Sequence, residues 1–164
     1  MRKLSHPVTI ITTNCHQEFH AATISSLTSI SLDPIPLISF SLRLPSKLFN
    51  LISLNHHHPF NVHLLNHDHQ SITLSKRFSK PRSSLETKIG LDDDQKQLIG
   101  DQIGLGRLVC SIWKTIELME DSSKEKEVKS VLILAKVIKV IDVETLHQSK
   151  PLLYYNQTYT TLQD

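Results

Sequence analysis

The sequence predicts a mainly β protein: an antiparallel barrel, closed or partly closed, with a few short helices inserted between strands. Three observations carry that expectation. Runs of β-branched or alternating apolar residues recur about seven times along the chain, most of them bounded by Pro, Asn, Asp or Ser. Stretches with helical spacing are few and short. No regular alternation of strand and helix appears, which argues against a parallel α/β sheet.

In chain order, "PVTIITT" (7–13) reads as the first strand, "HAATISSLTSIS" (20–31) as the second and "PLISFSLR" (36–43) as the third. The spacing in "SKLFNLISLN" (46–55) predicts a short helix capped by Ser46. A strand follows in "PFNVHLL" (59–65), then a second short helix in "QSITLSKRFS" (70–79), through Ile72, Leu74 and Phe78. Residues 79–105 are polar, hold three of the four glycines and predict a variable excursion. Within it, "LDDDQKQLIGDQ" (91–102) suits a third helix, because its three aspartates complement an N-terminal turn. Two long β-branched runs, 107–118 and 128–142, are expected to be strands joined by the charged, exposed loop "EDSSKEKEVK" (120–129). The last expected strand is 152–155.

A chain of 164 residues suits one domain, residues 1–164, with a core of its own. The composition, 39% apolar and 21% charged, is that of an ordinary soluble protein. A formal net charge of +2 is too mild for a nucleic-acid partner. The one basic cluster, "SKRFSKPR" (75–82), reads either as a solvated helix end or as a docking point for a small phosphate. The longest apolar runs are too short to span a bilayer, and no secretory signal precedes the first strand, so no membrane insertion is expected. Cys15 and Cys110 form neither a metal-ligand spacing nor a disulfide framework. Cys110, inside "RLVCSIWKTIEL", reads as a small core hydrophobe, which favours a reducing, intracellular compartment, cytoplasmic or mitochondrial.

Two features call for a chemical reading. The stretch "HAATISSLTSISLDP" (20–34) sets Thr23, Ser25, Ser26, Thr28, Ser29 and Ser31 among isolated apolar residues, between two strand-like flanks. That pattern predicts a half-buried polar surface built into a sheet. The second feature is "NHHHPFNVHLLNHDH" (55–69), with six histidines. His56, His57 and His58 are consecutive and point in different directions in any regular structure, so no metal site is expected. His63 differs, because it lies inside a strand on the face of Asn61 and Leu65. It is either aimed at whatever the hydroxyl stretch serves or is a satisfied internal histidine.

Several stretches, in order, resemble the flavin reductase-like family: "HPVTIITT" (6–13), "HAATISSLTSISLDPI" (20–35), "PLISFSLRLPSK" (36–47), "FNVHLLNHDHQSITLSKRFS" (60–79) and "PLLYYNQTYTTL" (151–162). The resemblance implies an FMN-binding split β-barrel, a Greek-key antiparallel barrel, with FMN as cofactor and FAD possible in its place. It implies hydride transfer from NADH or NADPH to the flavin N5, electrons passing on to free flavin, oxygen, iron or a partner monooxygenase, and a homodimer. An FMN-binding carrier or interaction module with little reductase activity is the alternative. By resemblance, Thr23, Ser25 and Ser26 approach the flavin ring edge, with Thr28 and Ser29 close by. Short hydroxyls that both donate and accept match that edge with little bulk. The phosphate falls to Ser46 and Lys47, with Lys76, Arg77 and Ser79 reaching the same group and Arg43 as an alternative.

Three departures stand out. Ala21 replaces the family's usual glycine, a modest change if the backbone there is extended, and His63 replaces a strand asparagine. Where many members carry a Gly-Asp-His segment that meets the nicotinamide, this chain has "EVKSVLILAKV" (127–137), with Ser130, Ala135 and Lys136 at the histidine, glycine and acid positions.

Overall fold

The structure, a computed structural model, describes residues 3–15, 18–54, 58–79, 104–119, 128–142 and 150–162. Seven antiparallel strands form one sheet in the order β3 (Glu18–Ile24), β2 (Thr9–Cys15), β6 (Phe60–Leu64), β7 (Gly106–Met119), β8 (Val128–Asp142), β5 (Leu37–Arg43) and β4 (Thr28–Ser31). A small second sheet has the order β1 (His6–Pro7), β9 (Leu153–Tyr155) and β10 (Thr158–Thr160). Among the described residues there are two helices, α1 (Lys47–Ser53) and α2 (His69–Phe78).

The large sheet rolls around a core. Ile24 at one end of the strand order and Ile38, Phe40 and Leu42 near the other join a single apolar cluster with Ile11, Phe60, Val62, Cys110, Ile112, Val131 and Ile133. Phe40 and Phe60 meet edge to face at 5.9 Å. The register of β7 on β8 shifts three times along its length, and such bulges add the local bend a rolled sheet needs. Yet the two end strands, β3 and β4, form no ladder with each other, so the barrel is split. Only Ser25, Ser26 and Leu27 join them, and a chain that short holds the ends of Ile24 and Thr28 within about 14 Å.

Helix α1 plugs the barrel with Leu48 and Ile52; its N-cap is Ser46, whose side chain accepts from Phe49 N at 3.2 Å. Helix α2 lies on the opposite face of β2 and β3, where Leu74 and Phe78 pack with Val8, Ile10, Ala21, Leu65 and Leu152. Asp68 caps it by accepting from Ser71 N at 2.6 Å. The small sheet borders the same layer with Tyr154 and Tyr159. Strand β2 is thus covered on both sides, and within it only Asn14 is exposed.

Residue 104 needs glycine. Its φ is +84°, and a Cβ there would sit 1.9 Å from the Leu64 carbonyl oxygen, which accepts from Leu105 N at 2.6 Å.

Most expected elements appear within a few residues of their predicted ends, with three differences. The 20–31 run is two strands, because the chain leaves one sheet edge at Ser25 and joins the other at Thr28. A tight turn with positive φ at Asn156 and Gln157 (47° and 65°) folds the C-terminal run into a hairpin and adds β10. The first strand is divided at Val8, whose N–H donates to Leu152 O at 2.9 Å. The expected helix at 91–102 and most of the 120–129 loop lie outside the described residues, although β7 and β8 do pair antiparallel. Cys110 is fully buried as expected, and burial pushes its thiol up to about 12. Among the described residues no helix is long and apolar enough to cross a membrane, and no three His, Cys, Asp or Glu side chains gather as they would around a metal ion.

Candidate functional site at the barrel seam

The hydroxyl stretch lies along the split. Its first part faces inward. Thr23 shares a face with Ala21 and donates its Oγ1 to the Ser75 carbonyl of α2 at 2.8 Å. Ser26 belongs to the loop that joins the two edges: its Oγ accepts from Ser41 N at 3.0 Å and donates to Ser41 O at 3.3 Å, tying that loop to β5. The second part faces out. Ser25, Thr28 and Ser29 are exposed, and Thr28 Oγ1 makes only a long 3.5 Å contact, to Ser29 O. Strand β4 ends the sheet, so one row of its backbone N–H and C=O groups has no ladder partner. Short hydroxyls beside an open backbone edge are suited to hydrogen-bonding the rim of a flat heteroaromatic ligand.

Cations flank this seam in two places. Lys76 and Arg77 occupy the last turn of α2 and are exposed; the C-cap, Ser79, donates its Oγ to Lys76 O at 2.8 Å. Because Thr23 grips the carbonyl of Ser75, the residue before Lys76, this basic turn is fastened directly to the hydroxyl stretch. On the other side, Arg43 ends β5 and is exposed, followed by Ser46 and Lys47 at the start of α1. Ser46 already spends its side chain on the cap, leaving Arg43 and Lys47 as the cationic part of that group.

His63 stands in the same cross-strand row as Thr23, each opposite Ile10 of β2, and therefore on the same face. It is covered, however, at 3% exposure, and its Nε2 lies 2.9 Å from Thr12 Oγ1. Burial first, and the Arg107 charge second, pull its pKa down to about 4. Of the two readings from sequence, the satisfied internal histidine describes this geometry.

The departures also find places. Ala21 sits in extended β3 under the α2 layer, so the freedom of glycine is not needed. Ser130 lies opposite Arg43 on β5, Ala135 is wholly buried in the barrel core, and Lys136 is half-buried opposite Leu37. Three participants carried no assignment from sequence. The backbone of Ser41 and the carbonyl of Ser75 have no sequence signal, since any residue supplies them. Tyr159, whose ring lies 5.8 Å under Lys76 Nζ, could be suspected only once the Asn156–Gln157 turn is seen to fold β10 back.

The sequence matches the flavin reductase like domain family over residues 1–163. No curated protein matches it significantly. Among solved structures it is similar to the flavin reductase of the styrene monooxygenase from Pseudomonas putida, with 19% identity, 99% of this chain and 95% of the other covered, and a TM-score of 0.69. It is similar as well to an NADH:FAD oxidoreductase of Streptomyces globisporus (17% identity, 99% and 89% covered, TM-score 0.72). A third similar structure is a flavin reductase complexed with NADP+ (19% identity, 99% and 93% covered, TM-score 0.69).

Proposed function

The chain belongs to the flavin reductase-like domain family, a class of oxidoreductases, and from that premise we propose that it is an NAD(P)H-dependent flavin oxidoreductase whose FMN site is the β3–β4 seam. The observation that carries this reading is the division of labour along one stretch: Thr23 is bonded to α2 and Ser26 to β5, while Ser25, Thr28, Ser29 and the edge of β4 stay open beside them. The donor set fits a flavin. Neutral hydroxyls and backbone groups suit the alternating acceptors and donor of the ring rim, and the cations of α2 suit a phosphate.

When bound, the flavin supplies the redox centre that takes hydride from NADH or NADPH at N5 and passes electrons to free flavin or another acceptor. The residues of the chain bind and orient. Ser25, Thr28 and Ser29 offer hydrogen bonds to the ring rim, with the Thr23 and Ser26 oxygens behind them. Lys76 and Arg77 hold the phosphate, supported by Ser79, and Arg43 and Lys47 present a second cationic group for the nicotinamide nucleotide. His63 acts behind the site by fixing β6 to β2 through Thr12. No proton donor is required of the protein for the hydride step.

Freshly purified protein tests the reading: it should absorb in the visible as a flavoprotein, or take up added FMN, and oxidise NADH or NADPH above background. Protein that neither takes up flavin nor gains thermal stability from it would overturn the proposal, since FMN at 100 times its dissociation constant should add about 2.7 kcal/mol. Flavin uptake without nucleotide oxidation would favour a second reading, a flavin carrier. That reading is motivated by Ser130, which leaves no imidazole at the β8 position opposite Arg43. The exposed side chains of Trp113, Ile116 and Leu118 on β7 and of Ile138 and Val140 on β8 favour a homodimer, which light scattering would distinguish from an 18.7 kDa monomer. A partner monooxygenase is the acceptor we expect for the electrons.

A further inference from the structure

We propose that Tyr159 is a positioning residue that holds the Lys76 ammonium ready for the flavin phosphate, making the C-terminal hairpin part of the binding site. The inference rests on the flavin reading above and assigns a role to a strand that lies far from the hydroxyl stretch in sequence. Lys76 Nζ stands 5.8 Å from the centroid of the Tyr159 ring. Tyr159 is in turn set against Tyr154 across the β9–β10 pair, ring centroids 5.5 Å apart at 66°. From the other side, Thr23 Oγ1 fixes the carbonyl of Ser75, the neighbouring residue. The last turn of α2 is therefore held at its backbone by β3 and at its charged tip by β10.

That arrangement has a physical purpose. A lysine on the exposed last turn of a helix has a long, freely rotating stem, and its ammonium is drawn toward the helix's own terminal carbonyls. A ring face offers the ammonium a competing attraction that leaves its N–H groups free to donate to an anion. Ordering the stem before the ligand arrives removes part of the entropy lost on binding. Among the described residues neither Lys76 nor Arg77 is paired with a carboxylate, so both charges are available to a phosphate.

The test is a titration of wild type, Tyr159→Phe, Tyr159→Leu and Lys76→Met with FMN and with riboflavin, which lacks the phosphate, read by flavin fluorescence. Tyr159→Leu should raise the dissociation constant for FMN roughly 2–5-fold and leave riboflavin unchanged, while Tyr159→Phe, which keeps the ring face, stays at the wild-type value. Lys76→Met should weaken FMN further and abolish the effect of Tyr159→Leu in the double variant. Equal weakening of both flavins, no weakening of FMN, or additive effects in the double variant would overturn the role. If Tyr159→Leu does not fold, Lys76→Met decides alone: unchanged FMN selectivity over riboflavin sinks the proposal. Wild type that binds neither flavin would sink the flavin reading itself, and with it this one.

Discussion

Strands β3 and β4 are joined through one hydroxyl-rich stretch, Thr23 to Ser31, and the fold places its two ends in opposite settings. Strand β3 is covered by α2 on one face and by the barrel core on the other, with Ala21 and Ile24 buried and Thr23 bonded to Ser75 O. Strand β4 has three exposed residues, Thr28, Ser29 and Ile30, and a free edge. On the proposed reading this polar stretch does two jobs where the barrel fails to close: Thr23 and Ser26 fasten it to α2 and β5, and the exposed hydroxyls are offered to the flavin. Substitutions in the covered layer should therefore damage stability, and substitutions along β4 should damage binding alone.

The largest effect is expected at Gly104, which closes the chain onto β6 in the covered layer. Alanine there would combine a left-handed backbone with a Cβ driven into the Leu64 carbonyl, a contact with backbone that no rotamer relieves. Gly104→Ala should lose about 3 kcal/mol or more in urea unfolding, or fail to fold. Unchanged stability would mean that the covered layer is far more pliable than its packing implies.

Next comes pH. The folded-state pKa of His63, about 4, is below its ordinary 6.5, so between these values the unfolded chain binds more protons than the folded one. Stability is then unaffected by this group above pH 6.5, falls as pH drops toward 4, and levels off below. The accumulated loss is about 3 kcal/mol. His63→Gln, which keeps a hydrogen-bonding group beside Thr12 but does not titrate, should flatten that part of the pH profile. Parallel profiles for the two proteins would show that His63 is not protonated on unfolding over that range.

Much of this was legible from the chain, and the exceptions have physical causes. Alternation exposed the long strands, because a half-buried sheet must repeat every two residues. Ser46 announced the first helix through its cap. The run 20–31 read as one strand because nothing local distinguishes Ser25–Leu27 from its neighbours; the break is imposed by two sheet edges that only the fold creates. The C-terminal hairpin was hidden because Asn156–Gln157 is a weak turn signal, lacking the glycine that usually marks two positive φ angles. At the site, residue type revealed the hydroxyls but not which would be occupied, since the partners of Thr23 and Ser26 are backbone groups.

The fasteners themselves come third in size. Thr23→Val removes the bond to Ser75 O, which still accepts from Ser79 N, and should lower stability by about 1 kcal/mol. Ser26→Ala should lose a similar amount or somewhat more, because the Ser41 amide and carbonyl both lose a partner at the seam. Thermal unfolding with both variants measures this. A neutral outcome for Ser26 would mean that water replaces its hydroxyl, and that the seam is wetter than a fastened joint should be.

The smallest expected change in stability is at Ser29, and it is the sharpest test of the division between the two strands. Its side chain is exposed on β4, and the strand's own pairing to β5, Ser29 opposite Ile38, uses backbone that alanine retains. Ser29→Ala should therefore unfold within about 0.5 kcal/mol of wild type. If the hydroxyl meets the flavin rim, a neutral hydrogen bond is lost on binding, and the dissociation constant for FMN should rise roughly 2–10-fold. Thr23→Val should give the inverse pattern, lower stability with a smaller change in FMN affinity. If instead both variants lose stability and binding together, the seam is a single cooperative unit, and the separation of fastening from presenting residues does not hold.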